Sequence, residues 1–479
     1  MTISSLATSG LFGRRGPALD GYVHPAFGGV ADTLGRLLAS YGGGGAVAVY
    51  HQGECVADIW GGIKDSAGTP WQRDTMSPSF STTKGVATTL LHMLVDRGLL
   101  AYGDRVAEHW PEFAQAGKEK ITIRHVLSHQ SGLYHIRQMI DHARRMRDWD
   151  HVVEAIERAR PVHAPGARTG YHGLTYGFIV GELIQRVTGR NFSELVQSEI
   201  AEPLGLDGLY VGAPKHALSR AAELMWPRFS MTRLVDPSSG MDRAAARFGE
   251  LVSQAAGHAS PLARLVGLEL DMESLRDALV PRGISAFDFG GHDTLTKAIP
   301  SANGLFTARS LARMYAALAE GGEIDGVRLM SRATLSRATE AQSPTAARSV
   351  IPFDMRWRLG YHGVATSRGF VKNAFGHFGF GGSGAWAERN RRLSVALIVN
   401  SGMGTPFGDL RIVRIGGAAL AAADRRSPRT RGELASRASD STKVRSRAWL
   451  ATQKSTSPRP APARRRRRRR TGVRKVATR

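Results

Sequence analysis

Ser81 and Lys84 stand three residues apart in the stretch Ser81-Thr82-Thr83-Lys84, at the start of a segment with a helical pattern. Residues three apart share one face of a helix, so the lysine amine would lie over the serine hydroxyl. A serine hydroxyl is a poor nucleophile unless a nearby base takes its proton, and a buried lysine can be that base because burial lowers its affinity for a proton. A helix N-terminus also favours negative charge that develops there. The pair therefore predicts a nucleophile and a general base for acyl transfer.

The same stretch also fits an ordinary helix start. In that interpretation Ser81 or Thr82 caps the helix and Lys84 points to solvent. The helix would end near Gly98, and its apolar face would carry Val86, Leu90, Met93 and Leu94. A serine three residues before a lysine occurs by chance in many proteins, so the pair alone does not decide between the two interpretations.

Other hydrolase signatures are missing from the sequence. Ser383 in FGGSGA lacks the second glycine of a Gly-x-Ser-x-Gly elbow, and Ser131 in SHQSGL lacks both glycines. The histidines at 129, 135 and 142 do not form a His-Glu-x-x-His pattern. A zinc hydrolase is therefore disfavoured, and we expect His129, His135 and His142 at the surface.

The single cysteine, Cys55, excludes an internal disulfide and a multi-cysteine zinc site. It lies in the apolar run CVADIW, which predicts a buried structural thiol. The glycines from Gly42 to Gly45 are not followed by Gly-Lys-Ser/Thr, so they indicate a turn rather than a phosphate-binding loop. The sequence thus predicts neither a metal nor a cofactor.

Most of the net charge of +24 lies in the C-terminal segment. Residues 425–479 contain 20 basic and two acidic residues, whereas residues 1–424 carry a net charge of only +6. This segment has few apolar residues and includes seven consecutive arginines, Arg464 to Arg470, so we expect a basic, disordered tail. Such runs are more often solvated tails without a specific partner, which is the interpretation that we favour. Non-specific binding to anionic surfaces is the alternative, and we predict no specific nucleic-acid partner.

The chain of 479 residues, 42% of them hydrophobic, is long enough to bury a large core. Its first residues lack the basic start and sustained apolar run of a signal peptide, and no stretch approaches the roughly 18 apolar residues of a membrane-spanning helix. We therefore expect a cytoplasmic protein, with peripheral association at the cell envelope as the alternative. The sequence carries no indication of the oligomeric state.

Helical patterns lie in the middle of the chain, and strand patterns lie towards both ends. A helix over 27–41 leads into a hairpin over 46–62, and two further strands over 384–402 precede a last helix near 409–423. Helical patterns over 81–150, 176–187 and 305–318 lie between these ends. This order predicts an α+β fold, with an antiparallel β-sheet built from N- and C-terminal strands, flanking helices and a mostly helical subdomain.

The expected domain organisation has three parts. An N-terminal extension covers residues 1–24, one catalytic domain covers 25–424, and the basic tail covers 425–479. Residues 215–296 mix polar and apolar stretches with weak periodicity, and we interpret them as a helical insertion or lid.

Several stretches together resemble a known family. SPSFSTTKGVATTLLHMLVDRGLL and ITIRHVLSHQSGLYHI resemble the Ser-x-x-Lys helix and the following turn of the serine β-lactamase-like superfamily. Tyr171-His172-Gly173 stands in place of its Tyr-x-Asn motif, His377-Phe378-Gly379 in place of its Lys-Thr-Gly strand, and IPSANGLFTARSLARMYAAL is a further shared segment. The resemblance covers about residues 25–424 and is greatest to class C β-lactamase-related esterases, which include bacterial carboxylesterases and mycobacterial lipases.

The resemblance implies a role for each matching residue. Ser81 would form an acyl-enzyme, with Lys84 as base or proton relay. Tyr171 would share the base role, with its pKa lowered by Lys84, and would protonate the leaving alcohol. Which of Lys84 and Tyr171 takes the serine proton stays open at this point.

The same resemblance implies a substrate-binding edge on the third motif. The backbone N–H groups of Ser81 and Phe380 would hold the oxyanion, next to Gly379. His377 would line the site and hydrogen-bond to Tyr171 or to the substrate.

Two departures from the family pattern favour esters over β-lactams. His377 replaces the lysine that meets the substrate carboxylate, and Gly173 replaces the asparagine that meets the β-lactam side chain. The predicted reaction is hydrolysis of carboxylic esters with short to medium acyl chains, and of lipid esters if the lid is apolar. The alternatives are β-lactamase or D-alanyl-peptidase activity, and a catalytically silent binding module of the same fold.

Overall fold

Eight strands form the central sheet of the computed structural model, which describes residues 2–4, 16–225, 272–342, 348–351, 354–401 and 409–426. In chain order they are β1 (Thr2–Ser4), β2 (Leu19–Val23), β3 (Gly44–His51), β4 (Glu54–Gly62), β5 (His362–Thr366), β6 (Gly369–Phe378), β7 (Gly384–Glu388) and β8 (Leu393–Val399). Their order across the sheet is β1-β2-β4-β3-β8-β7-β6-β5, and every neighbouring pair is antiparallel. The predicted α+β class, with a sheet built from both ends of the chain, is confirmed.

The predicted hairpin is formed by β3 and β4. Gln52 and Gly53 both adopt positive φ at its tip, 53° and 76°, which is the backbone geometry of a two-residue turn that matches strand twist. The sheet also begins before residue 25, because β1 and β2 lie within the segment expected to be an extension. Leu19 and Val23 of β2 are buried in the core.

Helices cover both faces of the sheet. Every residue of β3 and of β8 is buried, which explains their nearly continuous apolar sequences. Val47, Val395 and Leu397 belong to the core beneath the helices Gly28–Tyr41 and Leu410–Arg425. Ala48 and Ile398 belong to the opposite core, which the helix Ala308–Ala319 shares with the helical subdomain.

The helical subdomain lies between β4 and β5 in the chain. Its helices are Thr83–Asp96, Val106–His109, Ile123–Leu127, Ile136–Met139, Trp149–Arg158, Thr175–Thr188, Phe192–Leu195, Glu202–Leu204, Met272–Leu279, His292–Leu295, Ala308–Ala319 and Arg332–Ala338. Two-residue strands link them at Ser77–Pro78, Thr169–Gly170, Leu209–Tyr210, Leu305–Phe306, Glu323–Ile324, Val327–Arg328 and Arg348–Ser349. Ser77–Pro78 pairs with Leu305–Phe306, and this pairing fixes the chain just before Ser81.

Two predicted segments are only partly described. Of the expected lid over 215–296, residues 226–271 lie outside the described residues, and the remainder includes the helix Met272–Leu279. Of the expected tail, Arg425 ends the last helix and the Arg426 guanidinium donates to Glu54 Oε2 over 2.7 Å. Residues from 427 onward lie outside the described residues. The chain divides into two units, Met1–Pro428 and Arg429–Arg479.

Within the described ranges no helix has both the length and the apolar character to cross a bilayer.

Candidate active site

Ser81 lies in a short 3-10 turn, Phe80–Thr82, that runs directly into the helix Thr83–Asp96. Phe80 has a φ of 43°, which is strained for a non-glycine residue, and this bend sets the direction of the turn that carries Ser81. Ser81 is half-buried, so its hydroxyl is within reach of a substrate. Because Ser81 is in the first turn, its backbone N–H has no acceptor within the helix.

The interpretation of Ser81 or Thr82 as a simple helix cap is wrong. Thr82 makes no capping bond, and its hydroxyl instead donates to the carbonyl of Ser383 over 3.2 Å. The helix is buried on all sides from Thr83 to Val95, so Lys84 does not point to solvent.

Lys84 is fully buried beneath Ser81. Its Nζ lies 3.1 Å from Ser81 Oγ, 2.6 Å from the carbonyl oxygen of Gly173 and 3.0 Å from that of Ser301. None of these partners is a carboxylate. Burial lowers the pKa of Lys84 well below its ordinary value, because the charged form loses its water shell. The lowered pKa therefore favours a neutral amine next to the serine.

Tyr171 approaches the same hydroxyl from a different segment. Its Oη donates to Ser81 Oγ over 2.9 Å, and its ring centroid lies 5.2 Å from Lys84 Nζ. The expectation that Lys84 lowers the pKa of Tyr171 is wrong. Burial raises this pKa, and the bond to Ser81 opposes the rise only in part. Burial therefore favours the protonated phenol, which donates its hydrogen bond to Ser81.

The end of β6 lies against the turn that carries Ser81. A Cβ on Gly379 would lie 2.2 Å from the carbonyl oxygen of Ser79, so only glycine allows this close approach. The N–H of Gly379 donates to the carbonyl of Ser383 over 2.8 Å. Phe380 follows, with its ring 5.5 Å from that of Phe80. Among the described residues, no acceptor pairs with the Phe380 N–H.

His377 lies inside the site wall rather than on its surface. It is 2% exposed, and its Nδ1 lies 3.1 Å from the carbonyl oxygen of Phe378. The ring stacks towards Tyr171 at 6.5 Å and meets His362 edge-on at 5.0 Å. Burial, followed by the nearby His362 and Lys84, keeps the pKa of His377 well below its usual range. His377 is thus a neutral neighbour of Tyr171.

Sequence reasoning missed a buried group of polar residues behind Tyr171. His129 was expected at the surface, but it is fully buried, whereas His135 and His142 are half-buried. Ser131 Oγ lies 2.6 Å from His172 Nε2, a separation that by itself would suit a nucleophile and its base. Both residues are fully buried, however, so a substrate does not reach them. The available signals were the motif SHQSGL and the His172 of Tyr171-His172-Gly173, but their contact depends on the tertiary fold.

The remaining chemical candidate, Cys55, is not part of this site. It is a half-buried free thiol on β4, with its Sγ 3.4 Å from the carbonyl oxygen of Ala57. Burial raises the pKa of this thiol to about 12, so it is not a thiolate at neutral pH.

The sheet, the buried lysine and the half-buried serine define a hydrolase of the serine β-lactamase fold. The chain belongs to the Beta-lactamase family, whose family model matches residues 30–420. The predicted resemblance to the serine β-lactamase-like superfamily and its esterases is confirmed.

Three similar proteins illustrate this membership. Esterase/beta-lactamase LipL of Mycobacterium tuberculosis (strain ATCC 25618 / H37Rv) is 38% identical over 362 residues, which cover 75% of this chain and 77% of LipL. The structure of a family VIII carboxylesterase is 30% identical, with a TM-score of 0.70, and the match covers 84% of this chain and 99% of that one. A penicillin-binding protein homologue from Caulobacter crescentus is 33% identical, with a TM-score of 0.69 and the same shares covered.

Proposed function

We propose that the protein hydrolyses carboxylic esters through an acyl-enzyme on Ser81. The main support for this proposal is the position of Ser81 Oγ, which lies 3.1 Å from the buried Lys84 amine and 2.9 Å from the Tyr171 phenol. A hydroxyl in this setting has both a base for its own proton and a donor for the leaving group. The names of the esterases described above support the choice of esters as the substrate class.

The hydrogen bonds of Lys84 support its role as the base. A neutral amine has two N–H groups and one lone pair, and the carbonyl oxygens of Gly173 and Ser301 accept the two N–H groups. The lone pair is then directed to the third neighbour, Ser81 Oγ, at 3.1 Å. Ser81 in turn donates to Lys84 and accepts from Tyr171. This arrangement supports Lys84, rather than Tyr171, as the group that takes the serine proton.

Acylation transfers the acyl group of the ester to Ser81. Ser81 Oγ bonds to the ester carbonyl carbon while its proton passes to Lys84 Nζ. The carbonyl oxygen becomes an oxyanion between the N–H groups of Ser81 and Phe380. The bond to the alcohol oxygen breaks, Tyr171 protonates the departing alkoxide, and the Lys84 ammonium then returns its proton to the Tyr171 phenolate, which leaves both groups neutral.

Deacylation reverses these transfers with water in place of the alcohol. Water attacks the acyl carbon, and Lys84 takes one of its protons. The bond from Ser81 Oγ to the acyl carbon breaks, and the serine oxygen takes back the proton that Lys84 received from water. The products are the carboxylic acid and the free enzyme.

Gly173 supports esters over β-lactams. A Cβ at this position would lie 2.2 Å from a methyl carbon of Leu279, on the helix Met272–Leu279, and 3.1 Å from the carbonyl oxygen of Ala278. A side chain in place of the family asparagine therefore fits only if the Leu279 side chain turns away and the Ala278 carbonyl shifts slightly. His377, in place of the family lysine, is buried and neutral, so it offers no charge to a substrate carboxylate. Both polar contacts to a β-lactam are thus absent at these positions.

Turnover of a graded set of esters tests the proposed function. We expect hydrolysis of p-nitrophenyl acetate, butyrate and octanoate, with slower hydrolysis of palmitate. Nitrocefin should be hydrolysed with a kcat/KM lower by about 10²-fold or more, because its polar groups lack partners. Faster turnover of nitrocefin than of every ester would favour a β-lactamase. No turnover of either, together with no labelling by a fluorophosphonate, would favour the silent binding module.

The basic C-terminal segment is proposed to bind anionic surfaces independently of catalysis. Deleting residues 429–479 removes 18 basic and two acidic residues but keeps Arg426 and its bond to Glu54. We expect the shortened protein to lose retention on heparin at low salt and to keep its ester turnover, because counterion release depends on the number of basic groups. A deletion of equal length is not available elsewhere, so the control is the intact chain at high salt, where retention should also be lost. If the shortened protein loses its ester turnover, binding by this segment is not independent of catalysis.

A further inference from the structure

His129 occupies a tight turn directly behind Tyr171. It is fully buried and has a φ of 59°, a left-handed conformation that is uncommon for a histidine. Its carbonyl oxygen accepts the N–H of Gly170 over 2.9 Å, and its Nδ1 accepts the N–H of His172 over 3.2 Å. The N–H groups of the two residues next to Tyr171, Gly170 and His172, therefore both donate to His129.

These bonds fix the protonation state of His129. Since Nδ1 accepts a hydrogen bond from a backbone N–H, the ring proton must be on Nε2. The ring lies against aromatic side chains, with centroids 5.1 Å from Tyr171, 5.1 Å from Tyr176 and 4.2 Å from Trp357. A second proton on Nδ1 would face the N–H of His172. Only the neutral ring fits this position.

His172 closes the same segment from its other side. Its Nδ1 donates to the carbonyl of Gly170 over 2.6 Å, because its Nε2 already accepts from Ser131 Oγ over 2.6 Å and from the N–H of Leu133 over 3.3 Å. A Cβ on Gly170 would lie 2.1 Å from a ring carbon of Tyr134, so the backbone has no room to shift in that direction. The turn over 129–133 thus holds the backbone of Tyr171 through four hydrogen bonds from or to residues 170 and 172.

We propose that His129 is a positioning residue for the reaction, and that it acts through Tyr171 by accepting hydrogen bonds from the N–H groups of the two residues next to it, Gly170 and His172. The inference rests on the proposed function, because it concerns the proton that Tyr171 gives to the leaving alcohol. The Oη of Tyr171 is at the far end of a long side chain, so a small rotation of the backbone displaces it from its 2.9 Å contact with Ser81. A displacement of about 1 Å of a reacting group lowers rates by about 10²-fold.

Two substitutions at this position separate the hydrogen bond from simple packing. In His129→Asn, the side-chain oxygen stands where Nδ1 was and accepts the same N–H, and asparagine tolerates the left-handed backbone. In His129→Leu, the bulk is kept but no acceptor is present. We expect the leucine variant to lose roughly 30- to 100-fold in kcat and the asparagine variant about fivefold, with KM of both within about threefold of wild type. An asparagine variant no more active than the leucine variant would overturn the proposal.

A second measurement tests whether His129 acts through Tyr171. In the Tyr171→Phe background, His129→Leu should lower kcat by no more than about threefold, since residues that act as a unit are not additive. If the double variant instead loses kcat by the product of the two single-variant losses, the proposal is overturned. If His129→Leu does not fold, Ser131→Ala replaces it in the same cycle, because it removes a hydrogen bond to His172 from the same turn.

Labelling by a fluorophosphonate distinguishes failure of this inference from failure of the proposed function. Attack of Ser81 Oγ on phosphorus expels fluoride, which needs no proton from Tyr171, and the serine proton still passes to Lys84. Wild type, Tyr171→Phe and His129→Leu should therefore all label, even where ester turnover is lost. Unlabelled wild type would refute the Ser81 mechanism itself. Labelled wild type with an unlabelled but folded His129→Leu would show that His129 supports Ser81 and not Tyr171.

Discussion

Replacing Ser81 with alanine is expected to lower kcat for p-nitrophenyl butyrate by about 10⁴-fold or more, because no other nucleophile takes its place and the acyl-enzyme does not form. Fold and stability should change little, since the hydroxyl is half-buried and its two hydrogen-bond partners stay buried and close to other groups. Thermal unfolding and turnover measured on the same preparation would check both parts. Mass spectrometry should also show no adduct after treatment with a fluorophosphonate.

Ser131→Ala is the matched control for this experiment. Ser131 is a serine with a histidine neighbour at 2.6 Å, but it is fully buried. Its alanine variant should still form the fluorophosphonate adduct, whatever its ester turnover. An adduct that persists in Ser81→Ala and disappears in Ser131→Ala would move the nucleophile to Ser131 and refute the proposed mechanism.

Lys84→Met is expected to lower kcat by about 10²- to 10⁴-fold, which is the usual effect of losing a general base. Methionine keeps the unbranched shape of the side chain and removes the amine. In wild type, turnover should fall as the pH drops through the depressed pKa of Lys84, because the ammonium form has no lone pair for the serine proton. A pH profile of kcat for both proteins checks this. An unchanged pH dependence in Lys84→Met would mean that another group acts as the base.

The same substitution has a measurable effect on the pH dependence of stability. Between the low pKa of Lys84 in the folded protein and its ordinary pKa, the unfolded chain binds one more proton than the folded chain. The free energy of unfolding of wild type therefore rises with pH in this window, by up to about 1.4 kcal/mol per pH unit from this group. This contribution of Lys84 to the free energy of unfolding is complete above the ordinary lysine pKa. It is lost as the pH falls to the pKa of Lys84 in the folded protein. Urea unfolding at a series of pH values should show this increment in wild type and not in Lys84→Met. If the free energy of unfolding rises equally with pH in wild type and in Lys84→Met, Lys84 is charged in the folded protein.

The sequence predicted those parts of the site that depend on local spacing. Ser81 and Lys84 are one helical turn apart, so their contact follows from helix geometry alone. Tyr171 and the end of β6 were predicted only through the family resemblance, because they are 90 and about 300 residues from Ser81 and no local pattern links them. The fold class followed from the order of helical and strand patterns, and the short strand β2 was missed because five residues carry little periodicity.

The remaining differences arise from burial, which a sequence does not specify residue by residue. The pKa of Tyr171 was expected to fall because of a nearby cation, but burial raises it, and Lys84 is itself buried with a lowered pKa. His129 was expected at the surface because histidine is polar. Its burial depends on hydrogen bonds to residues about 40 positions later in the chain.

The pairing of β3 with β8 has a consequence for biosynthesis. Gly45–His51 pairs with Leu393–Val399, so the centre of the sheet joins segments that are about 350 residues apart. Contacts of such long range form late and slow folding, and they leave strand edges unpaired while the chain is still being translated. During synthesis Ser81 emerges from the ribosome long before β6 and before Phe380, which follows β6 and carries an N–H group proposed to stabilise the oxyanion. The nascent chain would therefore be unable to hydrolyse esters until its last strands have been made, and a chain truncated before β6 would be inactive and prone to aggregation.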